Sequence, residues 1–197
     1  MYLQVKSSSG ITLVSSESLL LEKRIVFIEN SIDSTTAAEF CKSMMILCSD
    51  KSNKPINVMI NSNGGEINAG LLIYDIIQSC KVPVNTYCMG KAYSMAAIIF
   101  MAGTGERYML PNSELMLHEP LLGNKIEGNT STIRSISDWL LEIKDKMVGI
   151  IVKHTENSKE EVEKAIDHDH YYSPEESIEF GMADGILGFD KMIWEEE

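Results

Sequence analysis

The sequence predicts an α/β fold whose central sheet is mainly parallel. Two apolar runs rich in β-branched residues, 56–60 and 82–88, are typical of buried strands, and a helical pattern follows each of them. Strands that alternate with helices in this way favour a parallel sheet. In such sheets, functional residues lie at the carboxyl ends of the strands. Gly64, Gly65 and Ser94 fall at these ends, so they are the first candidates for a functional site.

The first elements follow from local composition. Residues 1–18 are rich in serine and are expected to form a flexible N-terminal arm before a single domain at 19–197. A β-branched and aromatic run predicts a strand at 24–28. After a turn, Ser34 or Thr35 is predicted to cap a helix that ends near residue 48, and a loop then leads into the strand at 56–60.

The middle of the chain contains two strand-to-helix connections. The first passes through Gly64 and Gly65 into a helix predicted at 68–79. Adjacent glycines permit positive φ angles and let backbone N–H groups approach a ligand, although a tight turn alone also explains them. The second passes from the strand at 82–88 through Ser94 into an apolar helix. Because a serine at a helix start is more often a cap than a catalyst, Ser94 needs partners elsewhere in the chain.

Three short strands are predicted in the second half of the chain. They lie at 106–110, at 114–117 and, close to the end, at 185–187. The strand at 114–117 delivers His118 ahead of Pro120. A histidine at a strand end, held by a following proline, is a candidate general base.

A long helix is predicted at 133–154, after a polar, glycine-containing segment at 121–132. Its apolar residues are spaced by three and four, which makes one stripe long enough to project from the domain and meet a partner. The stripe comprises Ile136, Trp139, Leu140, Ile143, Met147, Ile150 and Ile151. Shorter helices are predicted to start at Ser158, in a capping-box pattern, and at Ser173.

Composition and charge exclude several classes of protein. The chain has 197 residues, of which 44% are hydrophobic, and a formal net charge of -12. Phosphate binding needs clustered Lys and Arg, so no nucleic-acid partner is expected. The N-terminal residues do not resemble a secretory signal, and no run of 18 apolar residues is present. We therefore expect a cytoplasmic protein without membrane contact.

The four cysteines have neither CxxC nor Cys/His ligand spacing, and each lies in an apolar context. We therefore expect buried free thiols in a reducing compartment, and no bound metal or cofactor.

Ser94 is placed to act as a nucleophile in acyl transfer. At a strand-to-helix turn, its hydroxyl can lie at the mouth of a cleft. The N–H groups of the first helical turn would then point, unpaired, towards a developing oxyanion.

A cluster of acidic and histidine residues at 167–170 has two interpretations. It could bind a metal, but alternating residues of an extended segment point to opposite sides, and no further ligand set is evident. A carboxylate of this cluster that orients His118 is the better interpretation.

Four motifs occur in an order and spacing that resemble a known family. They are Gly64-Gly65 after a strand, Gly90-x-Ala92-x-Ser94-Met95, the segment from Leu110-Pro111-Asn112-Ser113 to His118-x-Pro120, and Asp169 four residues before Ser173-x-Glu175-Glu176. The motifs match in register from about residue 19 to 188. Together they resemble the proteolytic subunit of the Clp protease, the ClpP family.

The resemblance implies a serine endopeptidase with the ClpP/crotonase fold, which has repeated ββα units and a protruding handle helix. It implies that Ser94 is the nucleophile, that His118 is the general base and that Asp169 orients the imidazole. The backbone N–H groups of Gly65 and Met95 would form the oxyanion hole.

The resemblance also implies a substrate path and an assembly. The segment 121–132 would pair with an extended, unfolded polypeptide, and the handle at 121–154 would join two heptameric rings of a homo-oligomer into a tetradecamer. An ATP-dependent AAA+ unfoldase of the ClpX or ClpA/ClpC type would feed substrate into this barrel. The residues that would contact substrate are Gly64, Leu121, Leu122 and Gly123.

A few positions differ from the family pattern. Asn63 replaces the usual Pro, Ala96 a common Gly and His168 the usual Arg, and none of these changes removes a catalytic group. Asn57 and Met59 replace aromatic residues that usually line the docking pocket for the unfoldase.

Two other functions remain open at this point. The chain could be a non-catalytic ring subunit that modifies the assembly of a partner, a class marked by an incomplete Ser/His/Asp set. It could also be a crotonase-like acyl-CoA enzyme, which would need basic residues for CoA and a Glu or Asp base near the oxyanion turn.

Overall fold

The computed structural model describes residues 1–7, 10–123 and 128–193. The strands, in chain order, are β1 (Tyr2–Ser7), β2 (Gly10–Ser15), β3 (Ile25–Ile32), β4 (Ile56–Gly65), β5 (Val84–Tyr93), β6 (Arg107–Met109), β7 (Glu114–Leu117), β8 (His170–Tyr172) and β9 (Gly185–Ile186). The helices are α1 (Ser16–Glu22), α2 (Ser34–Ser49), α3 (Ile67–Gln78), α4 (Met95–Met101), α5 (Thr130–Thr155), α6 (Lys159–Ala165), α7 (Pro174–Glu179) and α8 (Phe189–Ile193).

A seven-stranded sheet with the order β3-β4-β5-β6-β9 lies at the centre of the domain. Strand β7 also pairs with β5, farther along β5 than β6 does, and β8 adds to β7. Every strand pair of this sheet is parallel except β7 with β8. The predicted α/β class with a mainly parallel sheet is therefore confirmed.

Helix α4 is apolar throughout and is buried along its whole length. A helix that is hydrophobic on all sides is stable only inside the core, where it packs here against β4, β5 and α3. Burial of this helix fixes the position of Ser94, which immediately precedes it.

Strands β4 and β5 are longer than their apolar runs predict. The sequence places their ends near residues 60 and 88, whereas pairing continues to Gly65 and Tyr93. Register shifts after Ile60 and Asn30 let these polar and glycine-containing ends remain in the sheet. The glycine pair and Ser94 consequently lie directly at the strand ends.

The N-cap of helix α2 lies one residue before the first of the two expected caps. The carboxylate of Asp33, not Ser34 or Thr35, accepts a hydrogen bond of 2.9 Å from the Thr36 N–H. The predicted capping box at Ser158 is confirmed, and Ser173, which is predicted only as a helix start, forms a capping box as well.

The N-terminal residues contain regular structure that their serine-rich composition does not predict. Strands β1 and β2 form an antiparallel hairpin, and Ser15 caps α1, which crosses the predicted boundary at residue 18. Ile11 and Leu13 are exposed, so the hairpin does not share the main core. The flexibility of this arm and the single domain at 19–197 stay predictions.

Helix α5 divides into two halves that differ in burial. From Ile143 onward its apolar face belongs to the core, but none of its residues before Ile143 is buried. At about 1.5 Å per residue, the exposed half is roughly 20 Å long. The predicted apolar stripe is thus a core face in its second half and an open face in its first half.

The expectation that all four thiols are buried is wrong. Cys88 in β5 is buried, Cys41 and Cys80 are partly exposed and Cys48 is exposed. Cys41 and Cys48 lie on the outer helix α2, and Cys80 lies just after the outer helix α3. At such positions, apolar neighbours in the sequence do not guarantee that a thiol is buried.

Within residues 1–7, 10–123 and 128–193, no helix combines the length with the hydropathy that crossing a bilayer requires.

Candidate active site

Ser94 has an unusual backbone conformation at the start of α4. Its φ of 55° and ψ of −122° are rare for a residue with a side chain and cost on the order of 1–3 kcal/mol. Main-chain bonds hold this conformation: the Ser94 N–H donates to the Met116 carbonyl at 2.8 Å, and the Ala97 N–H donates to the Ser94 carbonyl at 3.0 Å. The Ser94 side chain makes no capping bond, so its hydroxyl is free for another partner.

The partner of the Ser94 hydroxyl is His118. The Ser94 Oγ and the His118 Nε2 lie 2.7 Å apart, and the His118 side chain is 13% exposed. Strand register explains this contact, because Tyr93 pairs with Met116, and His118 lies two residues beyond Met116. The structure therefore brings together the serine and the histidine that the sequence singled out.

Asp169 lies near His118 but does not bind it. The Asp169 Oδ1 is 3.9 Å from the His118 Nδ1, which is too far for a hydrogen bond, and the Asp169 side chain is 62% exposed. Among the residues that the structure describes, His118 Nδ1 has no hydrogen-bond partner although it is buried. A closer approach of about 1 Å would make this bond.

The position of Asp169 follows from strand β8, which sequence reasoning missed. Leu117 of β7 pairs with His170 of β8, so the same antiparallel register continues to His118 opposite Asp169. The neighbouring acid, Asp167, is instead bonded to the His168 ring. Of the two acids in the cluster, Asp169 is the one that faces His118.

Two glycines pack against the Ser94 turn. Gly64 has a φ of 86°, and a Cβ there would lie 2.5 Å from the Tyr93 carbonyl and 3.0 Å from the Met95 nitrogen. Gly65 has a φ of 156°, and a Cβ there would lie 2.1 Å from the Ile32 carbonyl. Only glycine fits either position, so the backbone of this pair can approach Ser94 closely.

Met95 is the first residue of α4, so its N–H has no acceptor within the helix. Gly65 ends β4 at the same edge of the sheet. The two residues expected to form an oxyanion hole thus lie on neighbouring elements that meet at the Ser94 turn.

An apolar cleft opens beside Ser94 and His118. Its volume is about 40 Å³, which is room for only a few water molecules. The lining residues are Ile67, Ser94, Met95, Ile98, Leu117, His118, Pro120, Met147, Ile151 and Ile166. Most of these are apolar residues of helices and strands, which the sequence does not single out as part of a site. The cleft therefore presents an apolar surface beside Ser94.

The expected substrate segment begins at the edge of this cleft. Pro120 lines the cleft, and Leu121, Leu122 and Gly123 follow it as exposed residues without strand structure. Residues 124–127 lie outside the described residues, and 130–132 belong to α5 instead of an extended segment.

An ion pair connects this edge of the cleft to the long helix. The Lys144 ammonium of α5 binds the carboxylate of Glu119, the residue after His118. Met147 and Ile151 of α5 line the cleft one and two turns further on. The backbone that carries His118 is therefore attached to α5.

A comparison with known protein families agrees with this geometry. The family model described as Clp protease matches residues 8–189. This range includes every strand of the central sheet together with Ser94, His118 and Asp169. Since the match covers most of its length, the chain belongs to the Clp protease family.

Proposed function

We propose that this chain is a serine endopeptidase, the proteolytic subunit of an ATP-dependent Clp protease. The observation that carries the proposal is the 2.7 Å contact between the Ser94 Oγ and the His118 Nε2. The strained Ser94 backbone supports it, because the turn directs the hydroxyl away from helix capping.

In the proposed reaction, His118 Nε2 accepts the hydroxyl proton as the Ser94 Oγ attacks the carbonyl carbon of a peptide bond. The carbonyl electrons move to oxygen, where the N–H groups of Gly65 and Met95 stabilise the charge. When the C–N bond breaks, the amine leaves with the proton from His118. Water, activated by His118, then hydrolyses the acyl-enzyme and frees Ser94.

Asp169 has the role of orienting the imidazole. Its carboxylate would accept the proton on His118 Nδ1 and stabilise the imidazolium that forms during attack. The 3.9 Å separation means that this bond has to close by about 1 Å for full activity.

The substrate class and the partners follow from family membership and exposed surfaces. Substrates are unfolded polypeptides, which contact Gly64 and the exposed Leu121, Leu122 and Gly123. Family membership implies a homo-oligomer of two stacked heptameric rings in the cytoplasm. Exposed Trp139 and Leu141 on the open half of α5 support a contact between copies of the chain. An AAA+ unfoldase of the ClpX or ClpA/ClpC type supplies the substrate.

Labelling with a fluorophosphonate tests the nucleophile directly. The wild-type protein is expected to label at Ser94 and to hydrolyse a fluorogenic peptide. Ser94→Ala should abolish labelling and lower hydrolysis by about four to six orders of magnitude, because it removes the attacking atom. Ser135→Ala, an exposed serine on α5, is the matched control and should retain activity. Near-wild-type hydrolysis by Ser94→Ala would overturn the proposal.

A non-catalytic ring subunit is the second candidate, and the open His118 to Asp169 contact is the observation that favours it. The same experiment separates the two functions. A ring of native mass that does not react with the fluorophosphonate would favour the second.

A further inference from the structure

Two cysteines meet at the ends of the outer helices, and neither of them lines the cleft beside Ser94. Cys48 lies in the last turn of α2, and Cys80 directly follows Ser79, the C-cap of α3. We propose that Cys48 and Cys80 are a site of reversible oxidation and form a disulfide that joins α2 to α3. This proposal concerns thiol chemistry and does not depend on the proposed peptidase activity.

The two sulfur atoms are already close to bonding distance. The Cys48 Sγ and the Cys80 Sγ lie 3.1 Å apart, whereas a disulfide bond is about 2.05 Å long. Closing this gap takes about 1 Å, which side-chain rotation and a small shift of the helix ends can supply. Both cysteines are free thiols in the structure.

An oxidant can reach this pair. Cys48 is exposed, and Cys80 is partly exposed. Both line an open groove between α2 and α3, whose other walls include Met45 and Ile76. A small disulfide such as glutathione disulfide can therefore approach Cys48 from solvent.

The environment of the two thiols predicts which one reacts first. Burial and the neighbouring Cys48 thiol raise the pKa of Cys80 to about 12, so Cys80 stays protonated at neutral pH. The Cys48 thiolate therefore attacks one sulfur of glutathione disulfide, forms a mixed disulfide and releases one glutathione thiolate.

The second step completes the exchange. Once Cys48 is in a mixed disulfide, its thiol no longer raises the pKa of Cys80, whereas burial, the larger cause, remains. The second step proceeds because the two sulfur atoms are only 3.1 Å apart: Cys80 gives up its proton to water and attacks the Cys48 sulfur, which forms the Cys48–Cys80 bond and expels the second glutathione thiolate. In sum, two protein thiols are oxidised to a disulfide and one glutathione disulfide is reduced to two glutathione thiols.

The cross-link would restrain two helices that start at the candidate active site. Ile67, the first residue of α3, lines the cleft, and Gly70 packs against the Met95 side chain. Helix α2 starts just after Ile32, whose carbonyl faces Gly65. The proposed disulfide ties the opposite ends of these same helices.

Peptide mapping after oxidation tests the proposal. The reduced full-length protein is incubated with glutathione disulfide, denatured, alkylated and digested for mass spectrometry. We expect two of the four cysteines to escape alkylation, as a peptide that links Cys48 to Cys80, and dithiothreitol to restore both. Because the disulfide closes a loop and so restricts the unfolded chain, we expect oxidation to raise the melting temperature by about 5–10 °C.

Serine variants test the order of the two steps. Cys80→Ser should accumulate a glutathione adduct on Cys48, whereas Cys48→Ser should leave Cys80 as a free thiol. Cys41→Ser, in the same groove, is the matched control and should retain the cross-link. A stable glutathione adduct on wild-type Cys48, a disulfide between two chains or full alkylation of all four cysteines would overturn the proposal.

Discussion

At the residue scale, the surrounding structure constrains the three proposed catalytic side chains to very different degrees. Main-chain hydrogen bonds fix Ser94, and His118 is largely buried. Asp169 is 62% exposed and directly precedes a three-residue strand. The Asp169 carboxylate is therefore the least constrained group of the three, and small movements of β8 change its distance to His118.

Substitution of the two acids distinguishes their roles. Asp169→Asn should lower the rate of peptide hydrolysis by up to about ten-thousand-fold, because the imidazole loses the carboxylate that fixes its tautomer. Asp167→Asn is the matched control and should have a small effect, since Asp167 is bonded to His168. Steady-state kinetics with a fluorogenic peptide measures both. Equal losses would show that the wrong acid has been assigned.

A methyl group at Gly64 should disturb the Ser94 turn. Gly64→Ala places a Cβ 2.5 Å from the Tyr93 carbonyl at a φ of 86°, so we expect a stability loss of about 1–3 kcal/mol together with slower fluorophosphonate labelling. Gly149→Ala is the control, because a Cβ there meets nothing within 4 Å. In the interior of α5 it should gain about 0.5–1 kcal/mol. Urea unfolding compares the two, and an equally stable Gly64→Ala would contradict the proposed close packing.

At the element scale, α5 connects an open surface to the cleft. Its first half presents exposed apolar residues, while Met147 and Ile151 in its second half line the cleft. Lys144 lies between these two parts and binds Glu119 next to His118. The ion pair therefore links the helix that carries the open surface to the residue next to His118.

A charge on the open half of α5 should separate the proposed rings. Leu140 lies on the apolar stripe, and Leu140→Asp would put a carboxylate into the contact. We expect sedimentation velocity to detect smaller assemblies, and peptide hydrolysis to fall although Ser94 is unchanged. Ser135→Asp adds the same charge about 140° away from Leu140 around the helix axis and should leave the assembly intact. Identical sedimentation of Leu140→Asp and the wild type would argue against a ring contact here.

The sequence predicts elements best where local chemistry determines them. The capping boxes at Ser158 and Ser173 and the apolar run into α4 are local signals, and the structure contains all three elements. Strand β8 has only three residues and exists because β7 pairs with it, which no local pattern encodes. The distance between Asp169 and His118 depends on that pairing, so the sequence could indicate the acid but not its separation.

At the scale of the whole molecule, the neutral imidazole of His154 connects two helices. Its Nε2 lies 2.9 Å from the Tyr74 hydroxyl, which joins α5 to α3. Burial, then the nearby Lys153 and Arg107, lower the pKa of His154 to about 4. The folded protein therefore keeps this imidazole neutral at pH values where an unfolded chain would protonate it.

This pKa predicts a loss of stability in mild acid. The pKa of His154 is lower in the folded protein than in the unfolded chain. The contribution of His154 to the free energy of unfolding is therefore complete above the unfolded pKa of about 6.5 and is lost as the pH falls towards about 4. His154→Gln, which can still accept a bond from Tyr74, should be less sensitive to acid. After allowance for the partial exposure of His154, we expect the free energies of unfolding of the wild type and of His154→Gln to diverge by about 1–2 kcal/mol between pH 7 and pH 4. Urea unfolding at both pH values measures this, and parallel curves would refute it.

The pairing of β7 with β8 has a consequence for when the proposed peptidase activity could arise during synthesis. The ribosome completes Ser94 and His118 long before Asp169, because α5 and α6 are made in between. A one-residue slip of β8 against β7 would also turn the Asp169 side chain to the other face of the sheet. A nascent chain therefore carries the proposed nucleophile and base but lacks the third group until its last strands dock. Peptide cleavage would then begin only after the chain is almost fully folded.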